Sequence, residues 1–121
     1  MAKHGFCHIE WATTNMKKAQ AFYGGLFGWK FEAWGTGDEY AMFKTPDGFG
    51  GGIMKTKEVR TDASPTVYVQ VDDMEPYLEK AKDLGGAVAV PKTEIDPSVG
   101  WFAHLKDPDG NTVGIFQNNH K

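Results

Sequence analysis

YAMFKTPDGFGGGIM, residues 40–54, and FAHLKDPDGNTVGIF, residues 102–116, are two copies of one pattern at an offset of 62. They align Pro46-Asp47-Gly48 with Pro108-Asp109-Gly110, and Gly52-Ile53 with Gly114-Ile115. A four-residue turn with proline second and glycine fourth, flanked by alternating side chains, predicts a β-hairpin closed through a bulge. Upstream, HIEWATTNM at 8–16 matches TVYVQVDDM at 66–74 at an offset of 58. A unit of this length present twice predicts two similar modules packed about a pseudo-twofold axis, since a solenoid needs several stacked copies.

Each copy opens with strict alternation. In FCHIEW, 6–11, Cys7 and Ile9 point one way and His8 and Glu10 the other. In TVYVQV, 66–71, Val67, Val69 and Val71 are apolar while Thr66, Tyr68 and Gln70 are not. Helical spacing follows both. Asn15 is placed to cap a helix over 15–27 with Met16, Ala19, Phe22, Tyr23, Leu26 and Phe27 on one stripe. Asp73 is placed to cap another over 74–85 with Met74, Tyr77, Leu78, Ala81 and Leu84. Gly28 and Gly85-Gly86 stand as the stops.

Three strands are expected after each helix, at 30–34, 40–44 and 51–55, then at 87–90, 101–106 and 112–117. Each module therefore reads βαβββ. The chain is expected to be one domain, 1–121, of two modules, about 1–55 and 65–121, joined by the polar linker 56–64. The fold class is α+β, with a curved mixed sheet forming a cavity and the helices outside.

The turn fixes which side chains share a face. Pairing Asp107 with Asn111 sets His104 opposite Gly114 and Phe102 opposite Phe116, while Ala103, Leu105, Val113 and Ile115 take the other face. The same register in the first module groups Tyr40, Met42, Gly52 and Met54. The expected ligand face collects His8, Glu10, Tyr40, Met42, Thr66, Tyr68, Gln70, Phe102, His104 and Phe116. The opposite face is aliphatic and suited to cover by the helices.

Composition narrows the partners. At 121 residues with a net charge of -3 and no long Lys/Arg run, the chain is not expected to bind nucleic acid or an anionic membrane. The single cysteine, Cys7, excludes an internal disulfide and reads as a buried, inert thiol. No apolar stretch approaches the roughly 18 residues of a membrane span, and the N-terminus lacks an apolar signal core, so a cytoplasmic protein is expected.

The βαβββ-βαβββ order, AFYGGLFGW at 21–29 and DPDGN at 107–111 resemble the vicinal oxygen chelate superfamily over nearly the whole chain. That superfamily includes glyoxalase I, extradiol dioxygenases, fosfomycin resistance enzymes and bleomycin-binding resistance proteins. In its metal-dependent members the ion is held by the first and last strands of each module. The resemblance places His8 and Thr66 at the first-strand positions, and Gly52 and Gly114 at the last-strand positions. His8 alone matches, and a lone histidine does not hold a divalent ion well. No metal or other cofactor is therefore expected.

His8 is read as ligand-binding or structural. Glu10 is either a solvated carboxylate at the cavity mouth or a functional acid. His104, beside Phe102 and Phe116, suits acid–base work or the orienting of a ligand carbonyl. The resulting expectation is a small-molecule-binding protein taking an aromatic or amphipathic ligand. The alternative is a lyase, isomerase or dioxygenase using His8, Glu10 and His104, with Glu10 and His104 the catalytic candidates, or an atypical metal site. A homodimer is expected from the resemblance and from the number of tryptophans.

Overall fold

The computed structural model describes residues 3–35, 37–60 and 64–119, so residues 61–63 of the expected linker lie outside it. The described elements run β1 (Phe6–Thr13), α1 (Met16–Phe27), β2 (Lys30–Ala33), β3 (Tyr40–Lys44), β4 (Gly50–Lys55), β5 (Thr66–Gln70), α2 (Met74–Asp83), β6 (Ala87–Asp96), β7 (Gly100–Lys106) and β8 (Thr112–Asn118). This is βαβββ twice, in the α+β class. Two compact units result, His8–Pro65 and Thr66–Lys121, the latter also holding Met1–Cys7.

In the N-terminal unit the strand order is β2-β3-β4-β1, with β1 parallel to β4 and the other neighbours antiparallel. The C-terminal unit has the order β5-β8-β7-β6, with β5 parallel to β8. The hairpin registers follow the turns. Tyr40 faces Met54 and Met42 faces Gly52, while Phe102 faces Phe116 and His104 faces Gly114. The Asp107 N–H donates to the Asn111 carbonyl at 2.9 Å, and Gly48 and Gly110 adopt φ of 88° and 89°. Only glycine takes that left-handed position without steric penalty. The Asp107 carboxylate accepts from the Asn111 side chain and from the Asp109 and Asn111 backbone, which holds it below the ordinary aspartate range.

Each helix covers one face of its sheet. Buried Met16, Ala41, Phe43 and Ile53 form one core, joined by Trp11, Ala19, Tyr23, Trp29 and Phe31. Trp29 stacks on Phe43 at 4.6 Å between ring centroids and on Tyr23 at 5.7 Å. Val71, Met74, Ala103 and Ile115 form the other core, joined by Val69, Tyr77, Leu78, Trp101 and Leu105. Three of the four tryptophans thus serve packing, with Lys92 lying over the Trp101 ring.

Several local expectations need correction. Phe22, Leu26 and Phe27 are more than half exposed, because α1 turns Met16, Ala19 and Tyr23 to the sheet and the apolar stripe is wider than the contact. β6 runs through Pro91 to Asp96 rather than stopping at Val90. It is the outer strand of its unit in the sheet order, where a missing N–H costs no ladder bond, and its register shifts accommodate the ring. Asn15 caps α1 by accepting from the Lys18 N–H at 3.0 Å, but Asp73 makes no side-chain cap. Instead, the Gln117 side-chain oxygen on β8 accepts the Met74 N–H at 2.8 Å. Gly24 approaches the Trp29 carbonyl, whereas Gly25 has open space around it.

Candidate functional site

Within the N-terminal unit, parallel pairing of β1 with β4 sets Glu10 beside Gly52, and antiparallel pairing of β3 sets Met42 on its other side. The Tyr40 ring lies over Gly52, and a Cβ built there would collide with the Tyr40 hydroxyl and ring. The Tyr40 hydroxyl donates to a Glu10 carboxylate oxygen at 2.7 Å and meets His8 Nε2 at 2.9 Å. His8 Nε2 and Glu10 are themselves 3.8 Å apart, with side chains 28% and 15% exposed, which shields this pair from solvent more than a surface ion pair. A phenol carries one proton. With that proton given to the Glu10 carboxylate, the Tyr40 oxygen accepts from His8, which fixes the proton of a neutral His8 on Nε2. The carboxylate, phenol and imidazole form one directed chain.

The C-terminal unit builds a related group from different strands. Tyr68 on β5 lies beside Gly114 on β8, which faces His104 on β7. The Tyr68 ring covers Gly114, and its hydroxyl is 2.7 Å from His104 Nε2. Phe102 meets His104 at 5.4 Å between ring centroids, as expected of neighbours on one face. Thr66, Tyr68 and Gln70 are all buried, so the polar parity of β5 is its better-covered side. The Gln70 amide donates to the Val71 carbonyl at 3.2 Å.

The ten expected residues therefore divide by unit. His8, Glu10 and Tyr40 come together in one, with Met42 exposed on the same hairpin face. Tyr68, His104 and Phe102 come together in the other, with Phe116 opposite Phe102 and Thr66 and Gln70 in the same strand as Tyr68. The phenol–imidazole contacts were missed in sequence, as was the role of the glycines. A Cβ at Gly52 would meet the Tyr40 side chain first. Gly51 is cleared for the Ile9 carbonyl and the Phe43 ring. A separate groove of about 480 Å³ beside α2, lined by Lys3, His4, Asp72 and Tyr77 among others, includes none of the ten.

The fit to a metal centre fails on geometry. Thr66 stands at one first-strand position, and a donor side chain at Gly52 or Gly114 would overlap a tyrosine ring. Among the described residues no three His, Cys, Asp or Glu side chains converge as a donor set.

Residues 5–115 match the model of the Glyoxalase/Bleomycin resistance protein/Dioxygenase superfamily, and the chain belongs to that superfamily. It is 28% identical over 117 residues to a putative glyoxylase of Mycobacterium tuberculosis, covering 92% of this chain and 44% of that protein. The chain thus spans less than half the length of that relative. It is 29% identical over 123 residues to a glyoxylase-like domain-containing protein of Didymella fabae, covering 95% of each. A superfamily member from Vibrio splendidus shares the fold with a TM-score of 0.68 at 17% identity, covering 91% of this chain and 96% of that one.

Cys7 stands apart from this chemistry. Its thiol lies 3.6 Å from the Tyr68 carbonyl, and burial pushes its pKa up to about 11. Thiolate is therefore scarce below pH 10 in the folded protein. Alkylation by iodoacetamide at pH 8 is expected to run on the order of 100-fold slower than in the urea-unfolded chain, as followed by mass spectrometry. Equal rates would show an accessible thiol.

Proposed function

We propose that this protein is a small-molecule binder of the glyoxalase/bleomycin resistance type that works without a metal ion or other cofactor and takes an aromatic or amphipathic ligand. The observation that carries this reading is the tyrosine ring over Gly52 and over Gly114, where metal-dependent relatives would place donors. Aromatic rings beside hydrogen-bonded phenol, imidazole and carboxylate groups combine apolar contact area with polarity, which suits a planar ligand with a polar group. Tyr40, His8, Glu10 and Met42 serve this purpose in one unit. Tyr68, His104, Phe102, Phe116, Thr66 and Gln70 serve it in the other.

A second reading, an enzyme of the lyase, isomerase or dioxygenase kind, is favoured by the Glu10–Tyr40–His8 chain. A carboxylate, phenol and imidazole in hydrogen-bond contact can hold and pass a proton. In this reading Glu10 and His104 remain the acid–base candidates.

No helix among the described residues is long and apolar enough to cross a membrane. The exposed Phe22, Leu26, Phe27 and Trp34 support a homodimer, since apolar side chains of this size favour cover. The whole is taken as a cytoplasmic single domain of two modules, with neither nucleic acid nor membrane as partner. Light scattering at micromolar concentration is expected to give twice the chain mass, and a monomer mass would remove the dimer.

Metal analysis of protein purified without a histidine tag should show less than stoichiometric zinc, nickel, iron and manganese. Tight stoichiometric metal that is lost in His8→Ala would overturn the metal-free reading.

The ligand face is tested with 1-anilinonaphthalene-8-sulfonate, a planar amphipathic probe, on folded protein. Phe102→Ala and Tyr68→Ala should each weaken binding by about 1–3 kcal/mol, the scale of a buried aromatic contact. His104→Gln separates the readings once a substrate is found in a screen. A binder loses modest affinity, whereas an enzyme using His104 still binds yet loses about 100-fold or more in turnover. Probe binding unaffected by all three substitutions would sink the ligand face.

A further inference from the structure

The two units reach one local arrangement from unlike sequence. In the N-terminal unit the histidine stands on the first strand and the tyrosine on the hairpin, as His8 on β1 and Tyr40 on β3. In the C-terminal unit these are exchanged, with Tyr68 on β5 and His104 on β7. The repeat aligns neither pair, since His8 matches Thr66 and Tyr40 matches Phe102. It does align the glycines of the last strands, and there the units converge. Each tyrosine ring lies over Gly52 or Gly114, and each hydroxyl meets a histidine Nε2, at 2.9 and 2.7 Å.

The reason for glycine at these two positions can be isolated. Gly28, Gly48, Gly85, Gly100 and Gly110 have positive φ, where any side chain is strained. Gly52 and Gly114 do not. Their φ angles lie outside the left-handed region, and the nearest obstacle to a Cβ is in each case a tyrosine side chain. The three atoms nearest a Cβ at Gly52 all belong to Tyr40, and those at Gly114 all belong to Tyr68. At Gly86 and Gly100, by contrast, the nearest atoms are backbone.

We propose that Gly52 and Gly114 are positioning residues of the two ligand faces, each acting by leaving a seat for one tyrosine ring, which holds the phenol hydroxyl against His8 or His104. The inference rests on the reading of those faces as ligand-binding. A methyl group at either glycine tilts the ring off the strand and opens the phenol–imidazole contact. The ladder bonds of the last strand survive, because its backbone angles suit any residue. Removing the hydroxyl alone, by Tyr68→Phe, leaves the ring seated and deletes the same contact.

The test follows the His104 imidazole by long-range proton–nitrogen NMR, beside affinity for 1-anilinonaphthalene-8-sulfonate and thermal melting. Gly114→Ala is expected to move the His104 nitrogen signals toward their Tyr68→Phe positions and to weaken probe binding at least 5-fold, with a cooperative melt retained. It should lower Tm in the wild-type background and leave it unchanged in the Tyr68→Ala background, where the seat is already empty. Gly25→Ala, with no neighbour within 4 Å, is the control and should leave both the His104 signals and probe binding as they are. Should Gly114→Ala fail to fold, Gly52→Ala read at His8 serves in its place. Unmoved histidine signals, or an equal loss of Tm with and without Tyr68, overturn the seat. Unchanged probe affinity in a variant with moved signals overturns its role in binding. Failure of the wild-type protein to bind the probe removes the ligand reading by itself, and the histidine signals then decide the seat alone.

Discussion

One helix can cover only one face of a sheet, and among the described residues each unit has one helix for four strands. Met16, Ala19 and Tyr23 of α1 close over the face carrying Ala41, Phe43 and Ile53, and Met74, Tyr77 and Leu78 of α2 do the same over Ala103 and Ile115. The other face must satisfy itself. Its polar groups are partly withdrawn from water, and a buried donor or acceptor without a partner costs about 1–3 kcal/mol. The tyrosine hydroxyls answer this demand by bonding to His8, Glu10 and His104. Among the described residues no buried side-chain nitrogen or oxygen lacks a partner. The same hydrogen bonds fix the orientation of the His8, Glu10 and His104 side chains.

The hairpins were legible because turn chemistry counts residues. A proline and a left-handed glycine fix the loop length, and with it every cross-strand pair from Lys106 with Thr112 to Gly100 with Asn118 in one hairpin and from Lys44 with Gly50 to Tyr40 with Met54 in the other. The helices were legible in place and in their stops, with Gly28 at φ 75° and Gly85 at φ 92°. Parity placed the residues of both helix-covered cores on the expected side, although on β5 the opposite side is the more buried, and the family resemblance extends over the same residues that the superfamily model matches.

What escaped the sequence depended on contacts that no turn encodes. The parallel pairings of β1 with β4 and of β5 with β8 join strands far apart in the chain, so nothing local sets their register. Without it, Tyr68 cannot be seen to lie beside Gly114. The cap of α2 was misassigned for a similar reason, since Asp73 has the right chemistry but Gln117 arrives from β8 with a better geometry. Helical spacing also overcounted the buried stripe of α1. Periodicity marks which residues lie on a side, while the width of the facing sheet decides how many of them are covered.

The boundary between the units does not follow the chain. Residues 3–7 belong with the unit that begins at Thr66, where the Gln70 N–H donates to the Gly5 carbonyl at 2.9 Å and the His4 N–H donates to the Gln70 carbonyl at 2.7 Å. A ribosome making this protein releases the first of these partners some sixty residues before the second exists. Cutting the chain in the linker would not yield two self-sufficient halves either. The fragment from Thr66 onward would carry α2 and all four of its strands, yet leave both backbone groups of Gln70 without the partners that the opening residues supply.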